Sequence, residues 1–189
     1  MPDRDLNDML RRWAARQPAA PAFVTADRQW TFGQVHEATS RIAQGLLALG
    51  VRDGDRVACL TRHVIETTLL TLAACKIGAV CMPVNWRLSA DEVAYILANG
   101  EARFVLTDAM FAATARKAAP ADLLAMMSTD TCDGLTLFES WYRTQPATDP
   151  GLEPDPEATA LQLYSSGTTG LPKGVPLTHD NVVQGVLNA

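Results

Sequence analysis

The densest chemistry in the sequence lies between Tyr164 and His179, in YSSGTTGLPKGVPLTH. Glycines at 167, 170 and 174 permit positive backbone torsions and carry no side chain, so successive N–H groups can converge on one anion. Ser165, Ser166, Thr168 and Thr169 add hydroxyl donors at the same place. Lys173 adds a cation on a flexible stem, suited to terminal phosphates. The ligand favoured by these residue types is a polyphosphate. A plain surface loop rich in Ser, Thr and Gly is the simpler reading, but strand, glycine loop and lysine in that order form a mechanism as well as a composition. His179 abuts the stretch and is a candidate catalytic group.

The stretch departs from the P-loop of nucleoside triphosphatases, which needs glycine directly before its lysine and a hydroxyl directly after. Here Pro172 precedes Lys173 and Gly174 follows, and GVPLTH reads as a second strand where a helix should begin. Elsewhere the candidates are thinner. His63 stands beside a helix start, where capping or surface roles are commoner than catalysis. Asp53 and Asp55 in RDGDRV read as a turn before a strand. Trp86 suits a ligand pocket or a core, and Arg87 a phosphate or solvent. Cys59, Cys75, Cys81 and Cys132 lack CxxC spacing and mostly sit in apolar runs, so they read as reduced thiols, with neither a disulfide frame nor a metal site.

The elements that must position the loop follow from pattern. The 189 residues are 48% apolar, enough for a core of one domain. The formal charge is -5 and no basic stripe is present, which argues against nucleic acid as a partner. The opening MPDRDLNDMLRRW has neither the apolar region of a signal peptide nor the length of a membrane span, so a cytoplasmic location is expected. A helix is expected over Leu6 to Arg16, a small extended pair around Phe23 and Trp30, and a helix from Phe32 whose face carries Phe32, Val35, Ile42, Leu46 and Leu49. Thr31 with Gln34 makes a capping box for it, and Gly50 a stop.

From Val57 onward, continuous apolar runs (Val57 to Leu60, AVCMPV, RFVLT) alternate with helical patterns over Ile65 to Ile77, Ser89 to Ala98 and Met110 to Ala118. Ser89 with Glu92 forms a second capping box, and Gly100 closes that helix. Unbroken apolar strands separated by helices predict an α/β fold, doubly wound, with a mainly parallel sheet and helices on both faces. DLLAMM reads as a further strand, RTQPATDPGLEPDPEATA as an exposed connector, and ALQLY as a buried strand leading into the loop.

YSSGTTGLPKGVPLTHDN closely resembles the phosphate-binding signature of the adenylate-forming enzymes, which include acyl- and aryl-CoA synthetases, peptide-synthetase adenylation domains and luciferases. Ser165 stands where the usual form has threonine, a swap that keeps the hydroxyl. TFGQVHEATSRIAQGLLALGVRDGDRVA and KIGAVCMPVNWRLSADEVAYILANGEARFVLTD resemble the family's early segments. Asn85, Trp86 and Arg87 in PVNWRL are similar to fatty acyl-CoA synthetases. The resemblance implies an ATP-dependent acyl-CoA synthetase, with Mg2+ as cofactor and CoA as co-substrate. Such an enzyme joins a carboxylic acid, here a fatty acid, to AMP and then passes the acyl group to a thiol. It further implies that Ser165, Ser166, Gly167, Thr168, Thr169, Gly170, Lys173 and Gly174 hold the β- and γ-phosphates, with Lys173 stabilising the departing charge. An adenylating enzyme that loads a carrier protein, and a stand-alone nucleotide- or polyphosphate-binding module, are the alternatives.

The family's enzymes are far longer, and the chain has no match to their adenine-contacting aromatic, ribose-binding aspartate, hinge or C-terminal lysine domain. The expectation is therefore an N-terminal portion, inactive alone. In that reading residues 53–189 are the first α/β subdomain, ending in the loop at 164–174 and a truncated helix. Residues 1–52 are a helical segment packed on a second subdomain. Without that subdomain the apolar face between Thr31 and Gly50 is expected to be partly uncovered and to pair two copies as a homodimer.

Overall fold

The computed structural model describes residues 5–25, 28–62, 65–165 and 171–188. The chain opens with α1 (Leu6–Arg16), capped by Asp5, whose carboxylate accepts from the backbone N–H of Asn7 and Asp8. β1 (Pro21–Val24) and β2 (Gln29–Thr31) pair as a small antiparallel ribbon. They lead into α2 (Phe32–Leu49), whose ends form as its sequence dictates. The Thr31/Gln34 capping box is complete, and Gly50 takes φ +100° while its N–H bonds the Leu46 and Leu47 carbonyls.

A βα alternation then builds the body: β3 (Arg56–Leu60), α3 (Ile65–Lys76), β4 (Val80–Pro83), α4 (Ala90–Asn99), β5 (Ala102–Thr107), α5 (Ala112–Ala118) and β6 (Ala125–Ser128). β7 (Thr136–Leu137), α6 (Phe138–Arg143), β8 (Thr159–Ser165), β9 (Lys173–Thr178) and α7 (His179–Leu187) complete it. The strands form one seven-stranded sheet in the order β7-β6-β5-β3-β4-β8-β9. Every pairing is parallel except β8 with β9.

β3, β4 and β5 are largely buried on both sides, and alternation along them sorts the core into two layers. β8, expected as a buried strand, buries only Ala160 and leaves Leu163 40% exposed, because β9 beside it is an uncovered edge strand. Val57, Cys59, Cys81, Phe104 and Leu106 face α2 and α3. Ala58, Leu60, Met82, Ala102 and Val105 face α4 and α5. The expected doubly wound, mainly parallel α/β fold is what forms. Cys59, Cys75 and Cys81 are buried free thiols and Cys132 is a half-buried one.

Two expectations need correction. The apolar face of α2 is not left for another subdomain: Val35, Ile42 and Leu46 have no exposed surface, because α3, α1 and α6 pack over them on the sheet. The argument for a homodimer through Thr31 to Gly50 loses its driving force with that face covered. The connector before β8 is exposed along most of its length but pinned, since Asp149 accepts from Arg11 at 2.8 and 3.1 Å and from Lys76 at 2.7 Å, and Arg41 and Gln44 bond its backbone carbonyls. Gly100 ends α4 at φ -80°, and the left-handed residue is its neighbour Glu101 at φ 49°. Glycine is needed at 100 for space, because a Cβ there would run into the Met82 sulfur.

β7 and α6 have no counterpart in the sequence reading. Their Phe138, Trp141 and Tyr142 form an aromatic cluster on Phe104, with Phe138 lying 5.7 Å from Trp141 and 5.4 Å from Tyr142.

Candidate functional site

β8 and β9 pair antiparallel with Tyr164 opposite Gly174 and Ser165 opposite Lys173. The polyphosphate-type segment therefore leaves and re-enters the fold at adjacent strand positions, with Ser165 and Lys173 both exposed. Ser166, Gly167, Thr168, Thr169 and Gly170, like His63, lie outside the described residues. At Gly174 the expected positive torsion is absent. The requirement there is steric, since a Cβ would stand 3.1 Å from Gln162 Nε2 and 3.5 Å from Tyr164 Cζ.

In a parallel sheet, ligand sites form beyond the carboxyl ends of strands where the connections change face. α3 follows β3 on one face and α4 follows β4 on the other, so the β3/β4 ends are such a point. A cavity of about 420 Å³ lies there, lined by Thr61, Arg62, Asn85, Trp86, Leu163 and Tyr164 among others. It abuts β8 through Leu163 and Tyr164, the two residues before the loop stem Ser165.

Its walls are held in place. Asn85 Oδ1 accepts from the Arg87 N–H at 3.0 Å, an Asx turn that redirects the chain after β4. Trp86 packs 5.8 Å from Phe111, and the Arg87 guanidinium sits 4.0 Å above the Trp86 ring. Trp86 is thus both pocket wall and core neighbour, while Arg87 is exposed but stacked. Arg62 donates to Asp108 at 3.2 Å, and the buried Asp108 also accepts from the Phe111 N–H. Thr61, Arg62 and Asp108 were not singled out from sequence. The available signal was their place at the carboxyl ends of apolar runs.

The remaining sequence candidates fall elsewhere. Gly54 makes the expected turn at φ +77° between Asp53 and Asp55, and Asp55 accepts from the Arg52 N–H. His179 follows β9, so it lies a strand length from Lys173, about 20 Å at ~3.3 Å per residue. Its backbone N–H bonds Ala158 at the other end of β8. His179 is 1% exposed, and among the described residues neither ring nitrogen has a hydrogen-bond partner. Burial lowers its pKa, against the raising influence of Asp5, Asp53 and Asp155. The structure therefore sets Ser165, Lys173 and Gly174 on the hairpin whose Tyr164 lines the cavity and separates His179 from Lys173.

Residues 10–189 match the protein family described as AMP-binding enzyme. A fatty acid–[acyl-carrier-protein] ligase of Streptomyces coeruleorubidus is 36% identical over 169 residues, which cover 88% of this chain and 31% of that protein. A long-chain-fatty-acid–CoA ligase of Mycobacterium tuberculosis is 35% identical over 185 residues, covering 95% of this chain and 36% of the relative. The solved structure of a fatty acyl CoA synthetase from Mycobacterium tuberculosis superposes with a TM-score of 0.83 at 31% identity, covering 93% of this chain and 35% of that one. The chain spans about a third of the length of the curated relatives it matches.

Proposed function

The chain belongs to the family of AMP-binding enzymes, and from that premise we propose that the protein carrying it is an ATP-dependent acid–thiol ligase acting on a fatty acid. In this reading the carboxylate oxygen attacks the α-phosphorus of ATP, the bond to the bridging oxygen breaks, and pyrophosphate leaves with the electron pair. A thiol sulfur then attacks the acyl carbon, AMP departs, and the thiol proton passes to solvent. Little covalent work falls to the protein in the first step, so rate comes from positioning and from neutralising the charge that develops on the leaving pyrophosphate.

The observation that carries the proposal is that Leu163 and Tyr164 of the hairpin that begins and ends the loop at Ser165 and Lys173 line the switch-point cavity. Ser165, Ser166, Gly167, Thr168, Thr169, Gly170, Lys173 and Gly174 are assigned to the β- and γ-phosphates, with Lys173 bearing most of the developing charge. Mg2+ accompanies the nucleotide in this reading. Among the described residues no group of three or more His, Cys, Asp or Glu gathers to hold a metal, so the ion would arrive largely coordinated by the phosphates, as Mg2+ commonly does. His179 takes no part. The named relatives differ in acceptor, CoA in one and acyl-carrier protein in the other. CoA is proposed here, on the likeness of PVNWRL to the CoA-dependent enzymes.

The test is pyrophosphate exchange into ATP by the protein carrying this chain, with a series of fatty acids. A charge-assisted hydrogen bond is worth about 1.5 to 3 kcal/mol, and loss of one transition-state donor slows chemistry roughly a hundredfold or more. Lys173→Ala is therefore expected to lower exchange by about that factor with an unchanged unfolding midpoint. Exchange near the wild-type rate would remove Lys173 from the mechanism, and exchange with no fatty acid in the series would remove the substrate class.

A further inference from the structure

We propose that Asn99 and Gln162 are positioning residues for the phosphate-binding hairpin, acting through the phenol of Tyr164; this rests on the reading of the hairpin given above. Tyr164 immediately precedes the stem residue Ser165 and pairs with Gly174 across the hairpin. Its hydroxyl accepts from Gln162 Nε2 at 2.9 Å and donates to Asn99 Oδ1 at 2.7 Å. The phenol thus gives its one proton to α4 and takes one from its own strand, a directional chain in which each bond polarises the next.

The hairpin needs such a tie. β9 is an edge strand whose strand partner is β8, and the register of β8 against β4 is confined to Cys81 with Leu161. Among the described residues, the Tyr164–Asn99 bond is the side-chain hydrogen bond that joins residues 162–165 and 173–177 to the rest of the fold. Its far end is a firm post. α4 is fixed at its start by the Ser89/Glu92 capping box and along its length by buried Val93, Ile96 and Leu97, and Asn99 is its last residue. The same helix follows directly on the Asn85–Leu88 turn that walls the cavity. One element therefore sets both the cavity rim and the height of the loop stem.

Gly174 completes the device. Gln162 and Tyr164 are two residues apart on one strand face, and both side chains pass over β9 where a Cβ at 174 would press on them. A Cβ there would crowd the Gln162 amide at 3.1 Å while touching the Tyr164 ring at ordinary contact distance.

The experiment uses the 189-residue chain. Amide exchange at Ser165 and Lys173 is measured without ligand in the wild type and in Tyr164→Phe, Asn99→Ala, Asn99→Asp and the Tyr164→Phe/Asn99→Ala pair, and each protein is then titrated with inorganic tripolyphosphate by phosphorus NMR. Tyr164→Phe and Asn99→Ala are each expected to speed exchange at both stems about three- to tenfold, the range of one net hydrogen bond. Thr159 and Thr178 at the far end should keep their rates, and thermal midpoints should hold. The pair should do no more than either single variant, Asn99→Asp should restore protection because it keeps an acceptor oxygen, and tripolyphosphate should bind more weakly to both single variants than to the wild type. Unchanged stem exchange in both single variants, or effects that add in the pair, would overturn the positioning role. Exchange effects in the variants beside a wild-type chain that binds no tripolyphosphate would overturn the phosphate reading and leave the tie standing.

Discussion

Asp149→Ala removes the counter-charge from a lysine that has no access to solvent. The Lys76 side chain is fully buried, its Nζ 2.7 Å from Asp149 Oδ2 and 3.3 Å from His36 Nδ1. The same carboxylate takes two bonds from Arg11 and one from the Gly151 N–H. Those donors hold the Asp149 carboxyl well below the usual carboxylate range, overcoming its own burial, while burial pushes the Lys76 ammonium down. Removing one member of a buried pair costs about 3 to 5 kcal/mol. The upper end is set by the escape route, since shedding the Lys76 proton at pH 7 from an ordinary value of about 10.4 costs about 5 kcal/mol. For a domain of this size that is a fall of roughly 6 to 20 °C in melting temperature. Urea unfolding followed by circular dichroism measures it. The companion variant decides the cause: Asp149→Ala with Lys76→Met leaves no buried charge at 76 and should be more stable than Asp149→Ala alone. A depressed carboxylate also contributes stability that is complete above its unfolded value near 3.9 and is lost as pH falls through the folded one, so Asp149→Ala should flatten the acid limb below about pH 4. A loss under about 1 kcal/mol, or a double variant weaker than the single, would refute the reasoning.

Two further outcomes are expected. Gly45→Ala places a methyl 2.5 Å from Trp141 Cζ2 and 2.7 Å from Cη2, so overpacking should cost about 1 to 3 kcal/mol by chemical denaturation, with Trp141 fluorescence shifted. Burial lowers the His179 pKa, so the folded chain binds fewer protons there than the unfolded one below about pH 6.5. The contribution of His179 is complete above that value and is lost as pH falls, so His179→Phe should flatten the stability profile below about pH 6.5.

The helices were legible in the sequence wherever their ends are chemically marked. Thr31 with Gln34, Ser89 with Glu92 and Gly50 each do in the structure what their types foretell. Continuous apolar runs likewise gave the buried strands, because both faces of a parallel sheet are covered. β7 and α6 escaped notice because two strand residues and six helical ones are too short to show a period, and Phe138 and Tyr142 are buried by the position of Phe104, which is distant in sequence. Lys76 ends α3 with nothing in its local sequence to mark its burial, and only the return of the connector to α1 and α3 makes it a core residue paired with Asp149. His179 was next to the loop in sequence and remote in space, because a whole strand intervenes. The loop's chemistry was visible in its residue types, whereas the cavity beside it depends on strand order, which no local pattern encodes.

Titration of ATP into the isotope-labelled 189-residue chain tests the central claim most directly. Shift changes should centre on Ser165, Lys173 and Gly174 and extend to Thr61, Asn85 and Trp86 around the cavity. The affinity should be about millimolar, near 4 kcal/mol, as expected of a triphosphate held without a clamp on the base. Changes centred instead on the cleft of Arg28, Arg41 and Arg143, or no change at Ser165 and Lys173 at saturating ATP, would contradict it.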